Sequence, residues 1–135
     1  MLDQVFVDSN ILIYSVSNEP GRASEADAVL LEDADFYIST QVLNEFIAVT
    51  NKKKYIHFEK IVGKVNKFIT AFTVKIVHQD TILSALRIQA AYMLSYWDAL
   101  IVASALEANC SALITEDLQD GMVIDKVLTV RNPFR

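Results

Sequence analysis

Glycine, proline and cysteine are scarce in this chain of 135 residues. Three glycines and two prolines provide few tight turns, which argues against an all-β architecture built from many hairpins. The single cysteine, Cys110, can form neither an internal disulfide nor a zinc cluster, and we expect it to be a buried thiol. This cysteine usage is typical of a reducing compartment, so we expect a cytoplasmic protein.

Long hydrophobic runs are absent as well. The longest apolar stretch, residues 99–106, is interrupted by Ser104 and is much shorter than the roughly 18 residues that span a bilayer. The first residues show neither the basic region nor the cleavage site of a secretory signal. A hydrophobic fraction of 53% is ample for one core, so we predict a single domain over residues 1–135 with no membrane partner.

Short β-rich runs alternate with stretches of helical periodicity along the chain. The predicted strands cover residues 4–7, 36–38, 74–77, 112–114 and 127–130. A first helix is predicted to begin near residue 11, and five further helices are predicted at about 22–33, 40–53, 58–72, 81–93 and 97–108. The last helix is apolar on nearly every side, so we expect it to be central. The alternation predicts an α/β fold, a twisted parallel sheet of four to five strands flanked by helices on both faces.

The net charge of −5 is distributed very unevenly. Residues 51–75 contain seven lysines and one acid, Glu59, so this segment carries +6 and the remainder carries −11. A chain polarised in this way can present one face to phosphate and another that is dense in carboxylates. A lysine run by itself, however, is more simply explained as a solvated helix face.

Four carboxylates fall where an α/β sheet binds ligands, near the carboxyl ends of its strands. Asp8 directly follows the first predicted strand and Asp117 follows the fourth, so the two meet if those strands are neighbours. Asp98 lies in the first turn of the apolar helix. Glu45 lies at the margin of the apolar stripe of the helix after the second strand. We therefore expect all four acids near one rim of the sheet.

Each acid also has a simpler explanation when it is taken alone. Asp8 and Asp98 are placed to cap or complement a helix, while Glu45 is placed at a core boundary and Asp117 in a turn. Clustering all four would raise their pKa values and destabilise the fold unless a divalent cation compensated their charge. Oxygen ligands suit Mg²⁺ or Mn²⁺, and the sequence has no Cys/His constellation for zinc.

The four acids lie within the sequence blocks FVDSNILIY, QVLNEF, SYWDALIVASAL and LITEDLQDG. In this order and context the blocks resemble those of PIN-domain nucleases, and in particular of the VapC-type toxins of bacterial and archaeal toxin–antitoxin pairs. The resemblance runs from Val5 to Phe134 and includes the closing Asn-Pro-Phe.

The resemblance implies a Mg²⁺- or Mn²⁺-dependent endoribonuclease that forms a homodimer and is inhibited by a cognate antitoxin. The family's acidic quartet is matched by Asp8, Glu45, Asp98 and Asp117. Ser9 and Thr115 match the small hydroxyl positions that support the quartet. Glu116 and Asp120 are further acids beside the fourth block, and the resemblance leaves their roles open.

As a mechanism, we expect Asp8 and Asp98, followed by Asp117, to ligate a metal that lowers the pKa of a bound water. Glu45 either ligates the metal or holds the attacking water as a base. Lysines would guide the RNA backbone. The candidates for these contacts are Lys52, Lys53, Lys54, Lys60, Lys64 and Lys67.

Two alternatives from other functional classes stay open. The first is a receiver-like signalling module, in which aspartates at strand ends bind Mg²⁺ and accept phosphate. A single aspartate after the first strand, and no acid directly after the third, argue against it. The second is a catalytically idle domain whose acids only receive an arginine from a protein partner.

Overall fold

One sheet of six strands organises the computed structural model, which describes residues 1–134. The strands are β1 (Gln4–Val7), β2 (Asp35–Ser39), β3 (Thr73–Lys75), β4 (Ala112–Ile114), β5 (Val123–Ile124) and β6 (Leu128–Arg131). Their order is β3-β2-β1-β4-β6-β5, and all neighbours are parallel except β5 and β6. The predicted α/β fold with a mostly parallel sheet is confirmed. The sheet has one strand more than predicted, because β5 is too short to leave a periodic pattern in the sequence.

Within the described residues, six helices flank the sheet. They are α1 (Ser9–Ser15), α2 (Arg22–Leu30), α3 (Thr40–Lys53), α4 (Phe58–Ala71), α5 (Gln79–Tyr92) and α6 (Tyr96–Glu107). Phe6 and Val7 are both fully buried, and consecutive strand residues point to opposite faces, so the sheet is covered on both sides. Residues 99–105 of α6 are all buried, as expected for the central helix. Among residues 1–134, no helix has the length and apolarity required to cross a membrane.

Several element boundaries differ from the sequence-based expectation by a few residues, and three of these differences have identifiable reasons. β3 ends at Lys75, because its partner β2 ends at Ser39, and the Val77 amide donates to the Thr40 hydroxyl instead. α5 begins earlier than predicted, because the backbone of His78 donates to the Thr81 hydroxyl and caps the helix. α2 ends at Leu30, since the following Leu31 is largely exposed and offers no apolar contact to extend the helix.

The register of the central strands brings the two predicted acidic loops together. β1 pairs with β4 so that Val7 lies beside Ile114, which places Asp8 next to Thr115 at the carboxyl edge. From β1 the chain proceeds through β2 and β3 on one side and through β4 and β6 on the other. The strand order therefore reverses at β1 and β4, which is where open α/β sheets form their ligand-binding crevice.

Candidate active site

Asp8 is the buried acid at the centre of this edge. Its backbone amide continues the β1–β4 ladder by donating to the Ile114 carbonyl at 3.0 Å. Its carboxylate caps α1 by accepting from the Ser9 amide at 2.6 Å, and it accepts from the Thr115 hydroxyl at 2.8 Å. The simpler explanation, a helix cap, is thus correct for Asp8, but it does not account for a carboxylate that is only 4% exposed.

Burial raises the pKa of Asp8 to about 7. The hydrogen bonds from Thr115 and Ser9 oppose this rise, whereas the negative charges of Asp117 and Glu45 add to it. The two hydrogen bonds therefore compensate the charge of the ionised Asp8 carboxylate only in part.

Glu45 reaches the same edge from α3. The Ser9 hydroxyl donates to Glu45 Oε1 at 3.0 Å and lies 3.3 Å from Asp8 Oδ1. Because a hydroxyl has one proton, the shorter contact to Glu45 is the better hydrogen bond of the two. The Ser9 hydroxyl thus lies between the buried carboxylate of Asp8 and the half-buried carboxylate of Glu45.

Asp117 lies in the loop after β4. Its amide donates to the Thr115 hydroxyl at 3.1 Å, and its carboxylate accepts from Asn10 Nδ2 at 3.2 Å. Partial burial of the carboxyl group raises the pKa of Asp117, and the charges of Asp98, Glu116 and Glu45 raise it further. The Thr115 hydroxyl therefore links the Asp8 carboxylate to the backbone amide of Asp117.

Asp98 completes the group from the first turn of α6. Its amide donates to the hydroxyl of the capping residue Ser95 at 3.1 Å, which fixes the start of the helix. The Asp98 side chain is half-buried, and its charge is the largest electrostatic influence on Asp117. The structure therefore brings Asp8, Glu45, Asp98 and Asp117 to one electrostatically coupled edge of the sheet, which we call the acidic edge.

As the side chains stand, no three His, Cys, Asp or Glu residues among residues 1–134 form a ready metal-binding group. The chemistry of the site nevertheless fits a hard divalent cation. Its donors are carboxylate oxygens whose negative charges raise the pKa values of Asp8 and Asp117, and Asn10 Oδ1 beside them is buried with no hydrogen-bond partner in the described part of the chain. A cation would neutralise the charge that opposes ionisation of Asp8.

Sequence reasoning missed Asn10 as a functional residue. The available signal was its position two residues after Asp8 in the Asp-Ser-Asn run, which places it on the first turn of α1. Its amide nitrogen lies 3.2 Å from Asp117 Oδ2 and 3.4 Å from the Thr115 hydroxyl. Asn10 thus connects the first and fourth acidic blocks.

Glu116 and Asp120 fasten the loop that carries Asp117. Glu116 Oε1 lies 3.3 Å from the Arg22 guanidinium, which in turn lies over the Phe134 ring at 4.6 Å. Asp120 accepts from the amide of Asn132 at 2.8 Å, and the side chain of Asn132 donates to the Glu116 carbonyl at 3.2 Å. These contacts give the closing Asn-Pro-Phe a structural function.

The predicted RNA-backbone lysines lie on α3, α4 and the link between them. All are exposed except Lys64, which is half-buried. Within residues 1–134, none of them belongs to an ion pair. A cavity of about 180 Å³ has both Lys53 and Asn10 in its wall, so the lysine segment adjoins the acidic edge.

Comparison with known proteins supports the same fold and family. The PIN domain profile matches residues 5–119. A toxin–antitoxin complex from Klebsiella pneumoniae has a chain with a TM-score of 0.71, 23% identity and coverage of 96% of this chain and 97% of that one. VapBC2 from Rickettsia felis bound to a promoter DNA fragment has a chain with a TM-score of 0.68 and 18% identity, and the match covers 96% of this chain and 99% of that one. The sarcin–ricin loop cleaving toxin VapC20 of Mycobacterium tuberculosis has a TM-score of 0.68 and 18% identity, and the match covers 81% of this chain and 86% of that one.

No curated protein sequence matches this chain. The profile match covers most of the chain and does not favour the receiver-like or idle alternatives. The PIN-domain resemblance seen in the sequence is confirmed: this chain belongs to the PIN domain family.

Proposed function

We propose that this protein is a Mg²⁺- or Mn²⁺-dependent endoribonuclease and the toxin of a type II toxin–antitoxin pair. The observation that carries the proposal is Asp8, a buried carboxylate coupled to Glu45 and Asp117 at the point where the strand order reverses. Membership of the PIN domain family and the similarity in fold to an RNA-cleaving toxin support it.

In this proposal Asp8, Asp98 and Asp117 hold the cation. When bound, the cation supplies Lewis acidity for the attacking water and compensates charge on the departing oxygen. Glu45, held by the Ser9 hydroxyl, either completes the ligand set or accepts the proton of the attacking water. Thr115 fixes the orientation of the Asp8 carboxylate. The exposed lysines of α3 and α4 contact phosphates on either side of the bond that is cut.

Asp98→Asn tests the proposal most cleanly, because Asp98 is half-buried, its helix cap uses the backbone amide, and within residues 1–134 its carboxylate makes no hydrogen bond. The substitution should abolish RNA cleavage in Mg²⁺ or Mn²⁺, measured on end-labelled RNA. Asp33→Asn, at an exposed acid in the turn after α2, is the matched control and should cleave normally. Cleavage by Asp98→Asn at the rate of the control would contradict the proposed site.

The proposal includes a cognate antitoxin and a homodimer as partners. The solved toxin–antitoxin complexes with this fold support a protein partner.

Ile82, Leu83 and Leu86 form an exposed apolar group on α5, and Trp97 is 63% exposed. Such a surface is typical of a protein interface. If α5 forms the dimer interface, Leu83→Glu should lower the mass measured by light scattering. An unchanged mass would exclude α5 as the dimer interface. A cytoplasmic location stays a prediction.

A further inference from the structure

The link between α3 and α4 contains a cavity that the acidic edge does not explain. α3 ends at Lys53, and Lys54 adopts a left-handed backbone with φ of 54° before α4 begins at Phe58. The resulting cavity of about 460 Å³ is large enough for one nucleotide. We call it the link cavity, and its wall includes Asn51, Lys54, Tyr55, His57, Phe58 and Lys60.

The chemistry of the link cavity is typical of a site for single-stranded nucleic acid. Lys54 and Lys60 are exposed cations, and the one acid of this segment, Glu59, is not part of the wall. The wall also includes three aromatic residues, Tyr55, His57 and Phe58, of which Phe58 is 60% exposed. Lysines bind phosphate, and aromatic side chains stack on bases whatever their sequence.

One residue, Tyr55, lines both the link cavity and the smaller cavity beside the acidic edge. That smaller cavity, of about 180 Å³, also has Lys53, Asn10 and Glu116 in its wall. Asn10 donates to the Asp117 carboxylate, and Glu116 precedes Asp117 in the chain. An extended strand that leaves the acidic edge past Asn10 and Lys53 therefore arrives at Tyr55.

We propose that the link cavity binds a nucleotide of single-stranded RNA that flanks the cleaved bond, with its base against the aromatic wall and its phosphate at Lys54 and Lys60. This inference rests on the proposed ribonuclease function and specifies the substrate as unpaired RNA at that position. Double-stranded RNA does not satisfy this wall, because its bases are stacked on each other and are not available to the side chains.

The test measures RNA affinity in the intact protein without cleavage. Fluorescence anisotropy with a labelled oligouridylate of about eight nucleotides, in EDTA, gives the dissociation constant. Tyr55→Ala and Phe58→Ala should each weaken binding by about 5- to 150-fold, the effect of removing one base–aromatic contact. Tyr55→Phe keeps the ring and should bind like the wild type. In Mn²⁺ the two alanine variants should raise KM and leave kcat nearly unchanged.

The chain offers a matched control for the lysine contact. Lys54 and Lys126 are both exposed and both have a left-handed backbone, with φ of 54° and 63°. Lys126 lies between β5 and β6, at the far edge of the sheet from α3 and α4. Lys54→Gln should reduce the salt dependence of binding by about 0.7 in slope, the value for one phosphate contact with a single strand. Lys126→Gln should leave the slope unchanged.

The outcomes separate this inference from the proposed function. If the wild type cleaves RNA in Mn²⁺ while Tyr55→Ala and Lys54→Gln keep wild-type affinity, the link cavity does not bind RNA and the ribonuclease proposal stands. If the alanine variants keep RNA affinity but lose binding to a protein partner, the cavity is a protein site and the inference is wrong. If the wild type neither binds nor cleaves RNA, both proposals fail.

Discussion

Replacing Asp8 with asparagine should stabilise the metal-free protein and at the same time remove its function. Asparagine has nearly the same shape as aspartate and no charge. Its oxygen can accept from the Ser9 amide, and its amide nitrogen can face the Thr115 oxygen. The substitution therefore removes a buried charge while it retains most of the local packing.

The magnitude follows from the pKa of Asp8, which burial raises from 3.8 to about 7. Each pH unit between these values corresponds to about 1.4 kcal/mol, so ionised Asp8 destabilises the folded state by about 4 kcal/mol above pH 7. Because the folded pKa is the higher one, the stability due to protonated Asp8 is complete below about pH 4 and is lost as the pH rises through 7. One altered hydrogen bond subtracts about 1 kcal/mol from the gain.

Asp8→Asn should thus be more stable than the wild type by about 3 kcal/mol near pH 8, and by less than about 1 kcal/mol near pH 5. Urea denaturation in EDTA, followed by circular dichroism at both pH values, measures the difference. The melting temperature should rise by about 9 °C near pH 8. Saturating Mg²⁺ should stabilise the wild type by about 3 kcal/mol at a hundredfold excess over the dissociation constant, and the variant not at all.

The reasoning is refuted if Asp8→Asn is less stable than the wild type near pH 8 in EDTA, or if the difference does not depend on pH. Either result would mean that Asp8 is not held as a buried carboxylate with a raised pKa. Asp33→Asn, at an exposed acid, should change stability by no more than about 0.5 kcal/mol at either pH.

Three further predictions test individual contacts. Ser9→Ala should reduce RNA cleavage by about 10- to 100-fold through misplacement of Glu45, and an unchanged rate would exclude the coupling of the two acids. Arg22→Ala should lower the free energy of unfolding by about 1 kcal/mol, because its ion pair with Glu116 is partly exposed; a loss of several kcal/mol in urea denaturation would show a larger function for the closing segment. Burial raises the pKa of the Cys110 thiol to about 12, so it should react with a colorimetric thiol reagent only after unfolding, and rapid reaction in the native state would contradict its burial.

The meeting of Asp8 and Asp117 could be predicted from the sequence because it depends on the backbone alone. Both acids follow parallel strands, and parallel strands end at the same edge of a sheet. Glu45 could be placed because Val42, one turn earlier on its helix, is buried and orients α3. The order of strands and helices along the chain and the helical periodicity were therefore sufficient to predict the architecture and the edge of the sheet at which these acids lie.

The contacts that depend on distant side chains could not be predicted. Glu116 turns towards Arg22 because Phe134, at the other end of the chain, provides a ring beneath the guanidinium. The function of Asn10 depends on the loop after β4, which meets α1 only in the folded chain. The link cavity depends on the left-handed backbone of Lys54, which is uncommon for a residue with a side chain.

The central claim is that one divalent cation binds to the carboxylates of the acidic edge and compensates their electrostatic repulsion. Isothermal titration of Mn²⁺ into the intact protein tests it directly. We predict saturable binding to the wild type and to Asp33→Asn, and loss of that binding in Asp8→Asn and in Asp98→Asn, with each variant shown to be folded by circular dichroism. Equal Mn²⁺ binding by all four proteins, or no binding by the wild type, would contradict the account.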